Sequence, residues 1–178
     1  MHSSRLADPL DETTKAMAKI TSKRSKTMAD HEKLAELEWR GSLYLDADER
    51  VVIPSEVLEA VIVAGAKKMK KGPAAKAGVF VLDHARLDYE GPDSVAELWR
   101  EERFRLRAAV AVNGRRVMRT RPKFEGWVAD IHVQYVPELV GLDTIEEFLI
   151  AAGVQVGVGD WRPRYGRFTV KTMASDAA

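Results

Sequence analysis

Cysteine is absent from the 178 residues of this chain. Without it there can be no disulfide bond, cysteine nucleophile, iron–sulfur cluster or thiolate zinc site, and we expect a cytoplasmic location. Long apolar runs are also missing: the longest, Val57 to Ala66, is broken by Glu59 and is shorter than the roughly 20 residues that cross a bilayer. The first residues, with Arg5 and Asp8 among them, lack the apolar centre of a signal peptide. We therefore expect a protein that does not enter membranes.

Acidic residues are missing from one segment and basic residues from the next. Residues 105–123 carry seven basic side chains and no acidic one, and residues 124–156 carry six acidic side chains and no basic one, in a chain whose net charge is only +1. Such segregation produces a local positive field, which favours a polyanionic partner. The alternative is an arginine-rich hairpin that is merely solvated.

The N-terminal residues 1–37 are polar and helix-prone, and we predict a helical, partly mobile arm there. It holds a short helix over residues 11–20 and a second helix from Met28 to Glu38, with Thr27 as its N-cap. Residues 38–174 form the predicted domain, into which the segment 105–123 is inserted. We expect residues 175–178 to be a disordered tail.

Two amphipathic helices dominate the predicted domain. The first covers residues 55–71, with Ser55 as its N-cap and Gly72-Pro73 as its stop, and its apolar residues recur at helical spacing. The second begins at residue 143 or 144, with Asp143 and Glu146 spaced as a capping box, and ends at residue 153. Each helix therefore has one apolar stripe to bury.

The predicted strands separate these helices. They cover residues 43–53, as a pair joined by an acidic turn, and residues 77–89, 127–136 and 167–173. A short helix with Ser94 and Glu97 spaced as a capping box follows the second of them. The order βαββαβ predicts an α+β, ferredoxin-like (RRM-like) sandwich, in which two helices cover one face of a four-stranded antiparallel sheet and the other face is free.

The inserted segment 105–123 is a predicted β-hairpin. Asn113-Gly114 stands between two extended runs, which is the strongest short-range signal for a two-residue type I′ turn. Counting outward from the turn pairs Val112 with Arg115, Val110 with Val117, Ala108 with Arg119 and Leu106 with Arg121. Arginines then lie on both faces, so we expect the hairpin to project from the domain. Its candidate residues for oligomerisation or nucleic-acid contact are Arg105, Arg107, Arg115, Arg116, Arg119 and Arg121.

A glycine-rich basic segment precedes the last predicted strand. It closes a helix and opens a strand, so it is not a dinucleotide-binding glycine motif, and it lacks the Gly-Lys-Ser/Thr end of a Walker loop. Basic and aromatic side chains beside approachable backbone suit single-stranded nucleic acid. The alternative is a long connection whose Trp161 packs on the sheet. The predicted nucleic-acid-binding residues are Gly157, Gly159, Trp161, Arg162, Arg164, Tyr165, Gly166 and Arg167.

This loop resembles the glycine-rich signature of the RAMP superfamily, the RNA-binding backbone proteins of CRISPR effector complexes. Val52-Ile53-Pro54-Ser55, which enters a helix running on to Ala66-Lys67-Lys68, resembles the entry to the first helix of those proteins. The inserted hairpin stands where their backbone subunits carry a thumb that reaches the neighbouring subunit. The chain, with Arg5-Leu6-Ala7-Asp8-Pro9 near its start, is also similar to uncharacterised proteins of tailed phages and prophages. The resemblance implies RNA binding and assembly along a strand.

No catalytic motif stands out. The four histidines are scattered, and none has the spacing of a helical metal pair. Asp130 and His132 lie two residues apart on a predicted strand, which leaves a metal-dependent nuclease as a minor alternative. We expect no enzyme activity, no cofactor and no bound metal.

The sequence thus predicts a phage-type protein that holds single-stranded nucleic acid without reading its sequence, with RNA favoured over DNA. We expect it to be a homo-oligomer or a ribonucleoprotein subunit, in the host cytoplasm if it is phage-encoded. The alternative is a phage structural protein, or a CRISPR inhibitor that imitates a backbone subunit and acts by protein–protein contact.

Overall fold

The computed structural model describes residues 4–112 and 114–172 of the chain. The helices are α1 (Ser4–Ala7), α2 (Glu12–Thr21), α3 (Met28–Gly41), α4 (Ser55–Lys68), α5 (Gly72–Gly78), α6 (Val95–Arg100) and α7 (Leu142–Gln155), with a 3-10 helix at Glu102–Phe104. The strands are β1 (Val52–Ile53), β2 (Val79–Val81), β3 (Ala85–Arg86), β4 (Arg105–Val112), β5 (Arg115–Pro122) and β6 (Val133–Tyr135). The predicted α+β class is confirmed.

The chain divides into two compact units. One comprises Met1–Val52 and Arg86–Ala129, and the other comprises Ile53–Ala85 and Asp130–Ala178. We call them the hairpin unit and the loop unit. The predicted turn residue Asn113 and the predicted tail 175–178 lie outside the described residues. The predicted boundaries of an arm at 1–37 and a domain at 38–174 remain predictions. Among the helices described, none has the length and apolarity to span a bilayer.

The strands pair in three two-stranded sheets, β1 with β3, β2 with β6, and β4 with β5. The single four-stranded sheet of the ferredoxin-like prediction is therefore not found within residues 4–112 and 114–172. Residues 167–172, predicted as the last strand, belong to no sheet. Along residues 127–135 the predicted alternation is present as alternating exposure, although the ladder covers only β6. Side-chain exposure thus alternates with a period of two even where the residues do not pair in a sheet.

The predicted strand at 77–89 is wrong over its first residues, because α5 occupies residues 72–78. The predicted end of the first helix at residue 71 is also wrong, because α4 ends at Lys68 and Lys70 has a φ of 60°, so Gly72-Pro73 opens α5 instead of stopping α4. Proline is tolerated in the first turn of a helix, where its missing N–H would have no partner in any case. The two residues therefore begin a helix, and the residues 69–71 separate it from α4.

In the loop unit, α4 packs against α7. The predicted stripe of α4 is buried at Val57, Leu58, Val61, Ile62 and Gly65, and α7 buries Ile145, Phe148 and Ala152 against it. A Cβ added to Gly65 would lie 2.0 Å from the carbonyl oxygen of Phe148, so the two helix backbones approach each other closely there. The two helices predicted from apolar spacing are confirmed.

Several predicted caps are wrong, however. Pro54 occupies the N-cap position of α4, and the backbone N–H of Ser55 donates to His84 Nδ1 at 3.1 Å. Gly141 precedes α7, and neither it nor Ser94 makes a side-chain cap. By contrast, the capping box that begins at Thr27 in front of α3 is present. The N–H groups that a Ser55 cap would have satisfied, those of Val57 and Leu58, donate to the carbonyl oxygen of Pro54 instead.

In the hairpin unit, α3 packs against β5. Trp39 is fully buried, and its indole N–H donates to the carbonyl oxygen of Phe104 at 2.9 Å. The predicted hairpin register is confirmed for all four pairs counted from the turn. The expectation that the whole hairpin projects is wrong, because Thr120 and Arg121 at its base are buried. An arginine can be buried here because a carboxylate meets it, as described below.

Candidate nucleic-acid interface

The predicted loop follows α7 in the loop unit and has an unusual backbone. Gly157, Gly159, Trp161 and Gly166 all have positive φ angles, of 76°, 84°, 54° and 73°. The N–H of Val158 donates to the carbonyl oxygen of Gly166 at 2.8 Å and closes the loop. A Cβ on Gly166 would lie 1.7 Å from the carbonyl oxygen of Val158, so only glycine fits at this crossing. These bonds fix the loop from within.

Two aromatic rings meet on this loop. The ring centroids of Trp161 and Tyr165 lie 6.2 Å apart, and the backbone N–H of Tyr165 donates to the carbonyl oxygen of Trp161 at 3.2 Å. Trp161 is half-buried and Tyr165 is exposed. The guanidinium of Arg164 lies 5.9 Å from the Tyr165 ring centroid. Rings and cation therefore share one small surface.

All three arginines of the loop are exposed, but they differ in their hydrogen bonds to the protein. Arg162 and Arg164 are exposed. Arg167 is exposed as well, but its Nε donates to the carbonyl oxygen of Pro163 at 3.0 Å. Segment 157–168 contains these three arginines and one acidic residue, Asp160, which leaves it with a net charge of +2. The structure brings all eight predicted loop residues into one connection with two rings and three guanidinium groups.

The predicted hairpin residues lie in the other unit, and they separate into three groups. At the base, Arg119 Nη1 and Arg121 Nη1 lie 3.1 Å and 3.0 Å from Glu38 Oε1. The backbone N–H of Thr120 donates to Glu38 Oε2 at 2.9 Å. Glu38 is only 4% exposed. A single carboxylate therefore neutralises part of the predicted positive field and anchors β5 to α3.

Lys123, at the end of the basic segment, is also paired. It contacts Glu125, and this hydrogen-bonded lysine lowers the pKa of the Glu125 carboxyl. Within the described residues, Arg107, Arg115 and Arg116 have no ion-pair partner, and all three are exposed. Arg115 and Arg116 follow the turn, where Gly114 has a φ of 76°. The exposed positive charge of the hairpin without an ion-pair partner is concentrated there and on Arg107.

Arg105 and Arg107 line a cleft of about 540 Å³ beside α3. The guanidinium of Arg105 lies 5.0 Å from the ring centroid of Trp99. That ring in turn lies 5.4 Å from the ring of Trp39. The Nε of Arg105 is buried and has no hydrogen-bond acceptor. Arg105 is thus held over an aromatic surface, with one donor unused.

Sequence reasoning missed two residues that matter in this unit, Glu38 and Trp99. Glu38 stands on α3, 83 positions before Arg121, and no local pattern links the two. Trp99 lies on α6, in a stretch predicted only as a short helix. A carboxylate is required only where a cation of the basic segment is buried, and the sequence does not show which of the seven is.

For the minor alternative, a metal-dependent nuclease, the described residues do not complete a metal site. Asp130 and His132 are exposed and precede β6, and His132 Nδ1 lies 4.0 Å from Asp83 Oδ2. In the part of the chain that the structure describes, no three histidine or carboxylate side chains gather as metal ligands would.

Comparison of this chain with protein-family models, with curated proteins and with solved structures found no match.

Proposed function

We propose that this chain binds single-stranded nucleic acid without sequence preference through the loop at 157–167. The observation that carries the proposal is the Trp161–Tyr165 ring pair, set between exposed arginines on a loop closed by its own backbone bonds. A preformed loop loses little conformational entropy on binding. Stacking on aromatic rings is tolerant of sequence, because every base has a flat face.

The charges of the loop supply the second part of the proposed interface. Arg162 and Arg164 are exposed and available for phosphates, and Arg167 is held beside them by Pro163. Phosphate contacts position a strand without reading its bases. The resemblance of the loop to RNA-binding backbone proteins favours RNA over DNA as the partner.

The proposal also includes the arrangement of the strands and the cellular location of the protein. The succession α4, β2, β6 and α7, with β2 and β6 paired antiparallel, supports a ferredoxin-like arrangement. We place the protein in the cytoplasm, which is the host cytoplasm if a phage encodes it. Absence of cysteine supports this location.

Assembly through the hairpin is the remaining part of the proposal. Its two strands pair over eight residues each, and Met118 and Arg116 are exposed beyond the anchored base. A ribbon that is fixed at one end and exposed at the other suits contact with a second copy or with the same strand. We therefore propose homo-oligomers, or a ribonucleoprotein, along the bound strand.

The salt dependence of binding tests the central proposal. Three to five neutralised phosphates predict a slope of about −2 to −3.5 in a plot of log affinity against log salt for a single strand. Replacing both Arg162 and Arg164 by Gln should make this slope shallower by about 1.4. The matched control replaces Lys67 and Lys68, two exposed cations of α4 in the same unit, and should leave the slope unchanged.

Two results would contradict the proposal. The first is a flat salt response, and the second is equal slopes for the loop variant and the lysine control. Purified protein with the ultraviolet absorbance ratio of a nucleic-acid-free tryptophan protein, together with no binding to any oligonucleotide, would favour a phage structural protein or a CRISPR inhibitor instead. Loss of labelled RNA that requires magnesium or manganese would favour the nuclease.

A further inference from the structure

The cleft beside α3 in the hairpin unit has an asymmetric lining. One side is the stacked pair of Trp99 and Arg105, with Arg107 next to it on β4, and the other side is a face of α3 that carries Glu32, Lys33 and Glu36. At about 540 Å³ its volume suits a small planar group. The cleft therefore presents a flat surface opposite a polar one.

The charges of α3 are partly satisfied within the helix. Glu36 Oε2 lies 3.0 Å from Lys33 Nζ, and Glu36 Oε1 lies 2.9 Å from Arg40 Nε. Glu32, Arg105 and Arg107 have no ion-pair partner among the described residues. The cleft thus offers one free carboxylate and two free guanidinium groups, one of which has a buried Nε without an acceptor.

A buried donor without an acceptor costs about 1–3 kcal/mol. Such groups are rare in folded proteins, and each one calls for an explanation. This cost accompanies the contact that holds the Arg105 guanidinium over Trp99, and the Arg105 side chain still lines an open cleft. Solvent does not reach the Nε atom, so a ligand in the cleft meets the part of Arg105 that lines it rather than this donor.

We propose that this cleft is a second nucleotide subsite, in which one base of the bound strand stacks on the Arg105 guanidinium over Trp99. Guanidinium planes and aromatic rings are both used to stack unpaired bases. The adjacent phosphate meets Arg107, and the free carboxylate of Glu32 accepts from an exocyclic amino group. At this subsite, unlike at the loop, a base with such a group, cytosine for example, is therefore preferred to uracil. This inference rests on the proposed function, because the cleft takes a base of the same class of ligand, single-stranded nucleic acid.

Photo-crosslinking tests the subsite. The probe is a short single-stranded oligocytidylate that carries photoreactive bromocytidine, and the readout is the tryptic peptide that receives the crosslink. Trypsin releases Trp99 in the peptide 87–100, whereas Trp161 lies in a different peptide. We expect crosslinks on both, and we expect an oligouridylate with bromouridine to label the Trp99 peptide less.

Arg105→Lys separates stacking from charge, because lysine keeps the cation and loses the planar guanidinium. It should weaken the Trp99 crosslink by about fivefold or more, the size of a lost stacking contact. The matched control is Arg103→Lys, which changes an arginine that lies 4.7 Å from the Phe104 ring centroid and does not line the cleft. The control should leave the crosslink unchanged, and the melting temperatures of both variants check that they fold.

A variant that leaves the stack on Arg105 and Trp99 intact gives independent evidence for the subsite. Arg107→Gln should make the salt slope for the oligocytidylate shallower by about 0.7, whereas Arg100→Gln, an exposed arginine of α6 outside the cleft lining, should not change it. Crosslinks confined to the Trp161 peptide, with binding retained, would overturn the subsite and leave the proposed function standing. Absence of all binding would overturn both.

Discussion

Glu38 and Arg121 form an ion pair inside the protein. Arg121 Nη1 lies 3.0 Å from Glu38 Oε1, with 10% of the arginine side chain and 5% of the glutamate side chain exposed. Arg119 contacts the same carboxylate oxygen, and the backbone N–H of Thr120 donates to the other one. One side chain of α3 therefore holds three consecutive residues of β5.

Glu38→Gln should destabilise the protein strongly. The change keeps the size of the side chain but leaves the Arg121 guanidinium buried without its counter-charge, and breaking such a pair from one side costs about 3–5 kcal/mol. Urea unfolding followed by tryptophan fluorescence measures the loss. Glu12→Gln is the control, since its exposed pair with Lys15 is worth about 1 kcal/mol or less. Equal losses for the two variants would contradict the anchoring role of Glu38.

Gly65→Ala should destabilise the packing of α4 against α7. Alanine is the better helix former by about 1 kcal/mol, but its Cβ would lie 2.0 Å from the carbonyl oxygen of Phe148. That atom belongs to the α7 backbone, so the helix must move, and we expect a net loss of about 1–3 kcal/mol.

Gly141→Ala is the matched control for this change. Gly141 precedes α7 with an ordinary φ of −82°, and a Cβ there would meet nothing within 4 Å. Because Gly141 is the N-cap of α7, where glycine is preferred to alanine, Gly141→Ala should still lose up to about 1 kcal/mol in denaturant unfolding, less than Gly65→Ala. A Gly65→Ala variant as stable as the wild-type protein would mean that the helices separate at little cost.

Local signals predicted the elements that depend on local physics. The Asn113-Gly114 signal gave the register of β4 and β5 without error, because a two-residue turn fixes which residues face each other. The stripe of α4 followed from its apolar spacing in the same way. The glycines of the loop also have the positive φ angles that their residue type favours.

Distant contacts explain what the sequence did not predict. Ser55 is the first residue of α4 rather than its cap, and its N–H group donates to His84, while β5 is anchored by Glu38 from another element. Neither partner lies within the span that a local pattern covers. The position of Trp99 against Arg105 is likewise set by how α6 and β4 pack, which residue spacing does not determine.

Acid should remove part of the stability of α3. Asp30 accepts hydrogen bonds from Lys23 and from the Thr27 N–H, and these contacts lower the pKa of its carboxyl from 3.8 to about 2. Because the folded-state pKa is the lower one, the ionised carboxylate stabilises the fold above pH 3.8, and this contribution is lost as the pH falls toward 2. Asp30→Asn should therefore melt below the wild-type protein at neutral pH, and the two melting temperatures should converge in acid.

Lys23→Gln provides the internal control for this pH effect. It removes the largest cause of the lowered pKa while leaving the Thr27 capping box in place. The melting-temperature difference between Lys23→Gln and the wild-type protein should then change less with pH than the difference for Asp30→Asn. A constant gap between wild type and Asp30→Asn at every pH would show that Asp30 contributes through its shape rather than its charge.

Assembly should depend on the free arginines near the hairpin turn. Replacing Arg115 and Arg116 by Ser leaves Arg119 with Glu38, so the base stays anchored and the melting temperature should not change. If the hairpin reaches a second copy, this variant should form smaller particles than wild type by light scattering with an oligonucleotide present. Replacing Lys67 and Lys68 by Ser is the control for lost charge. A wild-type protein that stays monomeric with oligonucleotide would reject assembly.

Trp161→Ala should weaken binding much more than stability. Trp161 is only half-buried, and its ring contacts that of Tyr165 at the surface of the loop. A stacked base is worth about 1–3 kcal/mol by alanine substitution, so we expect about tenfold weaker binding of a single-stranded oligonucleotide. Alanine also keeps a Cβ at a position whose φ is 54°, which leaves the backbone preference of the loop largely as it was. Paired thermal melts and binding titrations measure both effects.

Phe80→Ala is the matched control, because Phe80 is an aromatic residue of the same unit that is 42% exposed and lies on β2 rather than on the loop. Its replacement should leave oligonucleotide affinity unchanged. If Trp161 were instead a core residue, its replacement by alanine would cost about 3–5 kcal/mol of folding free energy, as it does for large buried aromatic residues. A large loss of stability in Trp161→Ala with unchanged affinity of the folded fraction would therefore remove Trp161 from the interface and leave its arginines to act alone.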